Sequence, residues 1–172
     1  MRLITSIMLC VATLAVTGSQ AHAHATLETK EAPAGSQYKV VLRTPHGCNG
    51  SPTIAVKVRI PNGVTEVKPQ PKPGWEVEIV TEDPGEALDD TQDQGASERI
   101  SEVHWTGGRL IDAHYDEFIM SVRLPDAPGQ TLYFATVQEC EQGVERWIDL
   151  PDEGQSAEDL DYPAPGVVLT PN

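Results

Sequence analysis

The chain has 172 residues and carries 26 acidic against 12 basic side chains, a formal charge of −14. A phosphate backbone demands a basic footprint, so nucleic-acid binding is excluded as a function class, whereas a metal or another cationic partner fits this charge. The length corresponds to one domain with a sizeable core.

The first 23 residues read as an export leader. Arg2 is followed by an apolar run from Leu3 to Val16, and Ala21-His22-Ala23 supplies the small-x-small pattern of a cleavage site. The run is too short for a comfortable membrane span. Leu9 is too large for the position before a lipidated cysteine, so Cys10 is not read as a lipid anchor. Cleavage after Ala23 leaves 149 residues that begin at His24, with 11 basic and 26 acidic side chains, a formal −15. Ala23-His24-Ala25 also fits the cleavage pattern, and a cut there would remove the histidine. An N-terminal histidine can hold one metal ion through its free amine and its Nδ1 together. An internal histidine cannot, because its backbone nitrogen is an amide.

The leader takes Cys10 with it. Cys48 and Cys140 remain, an even pair in an exported chain, and a disulfide is expected. It would close a loop of about 90 residues, for which chain entropy gives roughly 4–5 kcal/mol. A thiolate pair for a soft metal is the other reading of the same two residues.

From His24 onward, short β-rich runs alternate with turn residues, and there is no apolar helical stripe. A first strand is expected over residues 24–29, then a turn at Ala34-Gly35-Ser36 and a strand from Tyr38 to Arg43. Residues 44–52 form a breaker-rich loop that contains Pro45-His46-Gly47-Cys48. Residues 53–60 alternate, which predicts Ile54, Val56, Val58 and Ile60 on the core face. Pro61-Asn62-Gly63 is a turn, 64–67 a short strand, and Trp75 to Val80 another. Seven of the eighteen residues at 81–98 are acidic, which predicts a long loop between strands.

Arg99 to Trp105 returns to strand, which Gly107-Gly108 should break. Residues 116–124 place Phe118, Met120, Val122 and Leu124 on the core face and Glu117 on the other. Thr131 to Glu139 reads as one strand ending at Cys140, followed by a hairpin turn at Glu141-Gln142-Gly143. In 144–150, Val144, Arg146, Ile148 and Leu150 share one face and Glu145, Trp147 and Asp149 the other. Val167-Val168-Leu169 reads as a last edge strand. About nine strands imply an antiparallel two-sheet sandwich, with Greek-key connections expected.

Two constellations carry chemistry. If the strands bearing Glu117 and Trp147 are neighbours, both side chains line one sheet face, and the N-terminal strand can bring His24 to it. Two nitrogens of His24 with the Glu117 carboxylate are a donor set for Cu(II), with the Trp147 indole shielding the ion. A solvated strand carboxylate and an aromatic capping the sandwich are the plain readings of the same two residues. The second constellation is His46 with Cys48. His104 and His114 have no ligand spacing to any other histidine. Neither a phosphate-cradling glycine loop nor a Gly-x-Ser-x-Gly elbow is present.

Pro45-His46-Gly47-Cys48, Lys72-Pro73-Gly74-Trp75, Asp112-Ala113-His114-Tyr115-Asp116-Glu117-Phe118 and Val137-Gln138-Glu139-Cys140 leading to Arg146-Trp147 occur in this order after the released His24. Together they resemble the YcnI-like (DUF1775) family, and more narrowly its Gram-negative branch, to which the cysteine pair belongs. The resemblance covers essentially the whole of residues 24–172. It implies an all-β, immunoglobulin-like sandwich that binds Cu(II) through a single-histidine brace: His24 by amine and imidazole, Glu117 as carboxylate, Trp147 beside the metal. The branch best known for copper carries its tryptophan in a Glu-Trp-Thr-Gly context, whereas here it lies in Arg146-Trp147-Ile148-Asp149.

The expected function is therefore a non-enzymatic periplasmic copper chaperone, buffer or store, with copper-handling proteins or a membrane copper importer as partners. The rival readings are a copper oxidase resembling the His-brace monooxygenases and a metal-free interaction sandwich.

Overall fold

A computed structural model describes residues 24–82 and 99–172. Among these, twelve strands and one 3-10 turn at Ala157–Asp159 form. In chain order the strands are β1 (Thr26–Leu27), β2 (Glu31–Pro33), β3 (Gln37–Thr44), β4 (Thr53–Arg59), β5 (Thr65–Pro69), β6 (Glu76–Glu82), β7 (Arg99–Leu110), β8 (Asp116–Arg123), β9 (Thr131–Tyr133), β10 (Thr136–Cys140), β11 (Val144–Trp147) and β12 (Gly166–Thr170). One sheet runs β1-β3-β8-β5 and a second β11-β10-β4-β7-β6. A small third sheet runs β2-β12-β9. Neighbours such as β3–β8 and β4–β7 are distant in sequence, so the chain crosses repeatedly between the layers.

Alternation, strict in β8, builds the core. In β8, Phe118, Met120 and Val122 are fully buried, and β3 sets Val40 and Leu42 beside them through the Val40–Met120 and Leu42–Phe118 pairs. Val56 and Val58 of β4 and Val103 and Trp105 of β7 supply the facing layer. Burying side chains of this size is worth about 1.5–3 kcal/mol each relative to exposure, which is the main force holding the two layers together.

Several expectations are corrected. Ile54 is not a core residue, because the β4–β7 register shifts between Thr53 and Ala55. That bulge buries Thr53 and Ala55 and turns Ile54 outward. Gly107-Gly108 does not break a strand: β7 continues to Leu110. A Cβ on Gly108 would lie 2.1 Å from the Trp75 ring, so this glycine is the bare patch on which an indole rests. Thr131 to Glu139 is two strands, since β9 pairs with β12 whereas β10 pairs with β4 and β11. β12 is the middle of its sheet rather than an edge, and its pairing with β2 is parallel.

The expected first strand is shorter, with only Thr26 and Leu27 paired to β3. Thr81 and Glu82 belong to β6, and the rest of the predicted acidic loop lies outside the described residues, as does the predicted leader. Among the described residues no helix is long and apolar enough to cross a membrane.

Candidate metal site at one end of the sandwich

The separated motifs meet at the end of the sandwich where β1 begins and β3 ends. Lys72 reaches the start of β8, where its Nζ lies 2.6 Å from Asp116 Oδ1 and donates to the Glu117 carbonyl at 3.0 Å. The same ammonium sits 4.9 Å from the centre of the Phe118 ring. Asp116 Oδ1 also accepts from the Glu117 amide at 2.8 Å. The backbone that carries Glu117 is thus fixed from two sides.

A second network fixes Trp147. The Cys48–Cys140 disulfide forms, with its Cα atoms 5.9 Å apart, and ties the loop after β3 to the end of β10. Gly47 lies where a Cβ would meet the Ser51 carbonyl oxygen at 2.0 Å, so the Pro-His-Gly-Cys loop closes only with glycine there. Gln138, buried on β10, donates to the His46 carbonyl at 2.6 Å and to Thr53 Oγ1 at 2.7 Å. Its Oε1 accepts from the Trp147 indole N–H at 3.2 Å. Gln138 is the residue that sequence reasoning missed. Its signal was a polar side chain at an inward position of an apolar strand, where burial demands full hydrogen bonding.

The structure brings His24 to Trp147, with ring centroids 5.7 Å apart. His46 approaches the same indole edge-on at 6.4 Å, and Tyr162 packs against it at 5.6 Å. Trp147 therefore faces inward and is buried, whereas Val144, Ile148 and Leu150 are the exposed ones. The face shared by Val144, Ile148 and Leu150 is thus the exposed one, and the face of Trp147 the buried one. The strands of Glu117 and Trp147 are also not neighbours: β8 lies in one sheet and β11 at the edge of the other.

Glu117 sits on the outer face of its sheet, in register with Arg43, which is in register with Thr26. The Glu117 backbone is thus about 10 Å, two strand spacings, from that of the N-terminal strand. Between them lies Arg43, whose Nη2 is 2.6 Å from Glu28 Oε1 and whose Nε is 3.7 Å from Glu117 Oε1. The Tyr115 hydroxyl donates to Glu117 Oε1. Burial first, and this bond to a carboxylate second, push the Tyr115 pKa up, so the phenol stays a donor at neutral pH.

His24 lines a cleft of about 320 Å³ shared with Leu27, Tyr133, Pro165 and Val168. Glu117 lines a separate one of about 300 Å³ with Gln70, Lys72 and Tyr115. Among the described residues no group of three or more His, Cys, Asp or Glu side chains converges on a metal position. A brace needs only two such side chains, since its third donor is a chain-terminal amine. His104 lies elsewhere, between Glu102 and Glu78 on the second sheet.

The profile of one protein family, a domain of unknown function designated DUF1775, matches residues 24–169. The chain belongs to this family. The DUF1775 match begins at His24, the residue that the cleavage pattern would release. Among solved structures, the chain is similar to an uncharacterised protein from Nocardia farcinica described as having an immunoglobulin-like fold. The two share 24% sequence identity at a TM-score of 0.64, over 86% of this chain and 98% of the other. That likeness speaks to the fold of the DUF1775 chain. No curated protein matches it.

Proposed function

We propose that this DUF1775 protein is an exported, non-enzymatic Cu(II)-binding protein whose site forms when signal-peptide cleavage frees the amine of His24. The observation that carries this reading is the packing of the His24 ring on Trp147 at 5.7 Å, at the first residue of the family match. The donor chemistry supports it: a terminal amine and an imidazole on one residue suit Cu(II), and a carboxylate completing the set, for which Glu117 is the candidate although it lines a separate cleft in this structure, would favour Cu(II) over Cu(I). Trp147 supplies an apolar wall, oriented by Gln138, which limits water at the imidazole. The acidic surface attracts cations.

In this reading copper is cargo, held and handed on in the periplasm to other copper-handling proteins or a membrane importer. The disulfide is what an oxidising compartment would preserve.

The test compares a protein beginning at His24 with one carrying a single extra alanine before it, by Cu(II) titration and EPR. A tight, nitrogen-rich signal only in the first is expected, with no ascorbate-driven peroxide production. Equal binding by both would move any copper to internal histidines, absence of binding by both would refute the reading, and ascorbate turnover would make the protein an oxidase.

A further inference from the structure

Of the Pro-His-Gly-Cys loop, the disulfide takes up the cysteine and leaves the histidine to be explained. The backbone that carries His46 is held in several places. Its own carbonyl accepts from Gln138 Nε2 at 2.6 Å, the Gly47 amide donates to Asp112 Oδ1 at 3.0 Å, and Cys48 is tied to Cys140. This loop also stands beside His24. Thr26 pairs with Arg43, and that register, carried two residues back along the N-terminal segment, sets His24 level with Pro45, the residue before His46. Both imidazoles meet one indole, with His24 at 5.7 Å and His46 at 6.4 Å from Trp147 between ring centroids. The buried amide of Gln138 holds the His46 carbonyl and the Trp147 N–H at once, so loop and indole are set by the same side chain.

The tautomer of His46 is fixed as well. Its Nδ1 lies 2.5 Å from the Gly47 carbonyl oxygen, which can only accept, so Nδ1 carries the hydrogen. In the neutral ring Nε2 is then the nitrogen that offers a lone pair. Metal-bound histidines show this arrangement: one ring nitrogen donates to a backbone carbonyl, and the other binds the ion.

We infer that His46, through Nε2, is the donor that joins the amine and Nδ1 of His24, an inference that rests on the copper-binding reading above. Glu117 lines a cleft in which His24 has no part, whereas His46 shares the indole of His24. The set is then three nitrogens, two of them imidazole, which suits copper. The other two histidines of the described residues stand outside it. His104 is held between Glu102 and Glu78, and His114 is exposed between β7 and β8.

The test counts the imidazoles on the metal. The protein is expressed with its own leader, purified after export and confirmed by mass to begin at His24. Cu(II) is added below one equivalent, and the remote imidazole nitrogens are read by pulsed EPR. Affinity is measured against a competing chelator, with melting temperature in parallel. The parent should show two coupled imidazoles. His46→Gln should show one and bind Cu(II) at least about tenfold more weakly, the least that losing even a group that orients a ligand costs. Its melting temperature should stay near the parent's, and His114→Gln should keep both imidazoles.

One imidazole in the parent, or two in His46→Gln, would overturn the inference. The copper reading would survive either result if an extra alanine before His24 still abolished tight binding. A parent that binds no Cu(II), or binds it equally with that alanine, takes both down. Should His46→Gln fail to fold, the parent still decides: two imidazoles that persist in His104→Gln and His114→Gln sustain the inference, and a single one overturns it.

Discussion

Two aromatic clusters cap different parts of the sandwich, and they are built on different rules. In the first, Trp75 and Trp105 pack edge-on against Phe118, at 5.1 and 5.6 Å between ring centroids. Its buried indole N–H, on Trp105, goes to a backbone carbonyl, that of Gln70, at 3.4 Å. In the second, Trp147 is surrounded by two imidazoles and a phenol, and its N–H goes to a side-chain amide that in turn grips the His46 carbonyl. The first cluster joins the two sheets and fills volume. The second spends buried polar groups, which are expensive unless every one is satisfied, on holding rings of imidazole in place. The difference supports the proposed role of the second cluster, which holds two imidazoles where the first holds only rings that fill volume.

The comparison breaks first, and hardest, at Trp105. It is fully buried and touches Phe118, and Trp105→Ala is expected to cost about 3–5 kcal/mol, enough to unfold much of the population at 37 °C. Chemical denaturation should show the midpoint falling sharply. A loss below about 1 kcal/mol would mean that this cluster is not the structural one.

Trp147→Phe tests the second cluster with a smaller expected effect. Phenylalanine keeps most of the ring but removes the donor to Gln138 Oε1, which leaves a buried acceptor unsatisfied at about 1–3 kcal/mol. The loss should be largely recovered by adding Gln138→Leu only if the amide has no other task. Because Gln138 also holds the His46 carbonyl and Thr53, the double variant should instead be worse than the single, and a double-mutant cycle will show it.

The same contrast explains what could be read in advance. Phe118, Met120, Val122 and Leu124 were legible because a central strand buries one face and alternates strictly. The disulfide was legible because Cys48 and Cys140 are the only two cysteines outside the predicted leader. The inward face of Trp147 was not legible because β11 is an edge strand whose outer side leaves Val144 exposed, so apolar residues do not mark the core there. Ile54 failed through a bulge, which shifts the period by one residue and leaves no trace in composition. The grouping of His24 with Trp147 was read from strand phase and again from the family resemblance, and the two rings do meet, although the strands of Glu117 and Trp147 are not the neighbours that the phase reading assumed; Arg43 between Glu28 and Glu117 depends on register across three strands, and no local pattern carries that.

The mildest test concerns Tyr162, the outermost ring of the second cluster. Its side chain packs on Trp147 but is 44% exposed, so Tyr162→Leu should cost within about 1 kcal/mol, the scale of one aromatic pair. The segment around it is held by backbone: Asp149 N donates to the Tyr162 carbonyl at 3.0 Å, and Ala164 N to the Asp149 carbonyl at 2.9 Å. Those bonds do not depend on the phenol, so limited proteolysis between residues 150 and 161 should proceed at the parent rate. Faster cleavage with an unchanged melting temperature would mean that the ring itself pins the acidic tail. The second cluster would then extend its reach from the imidazoles to the C-terminal segment, and the division between a volume-filling cluster and a ring-holding one would have to include it.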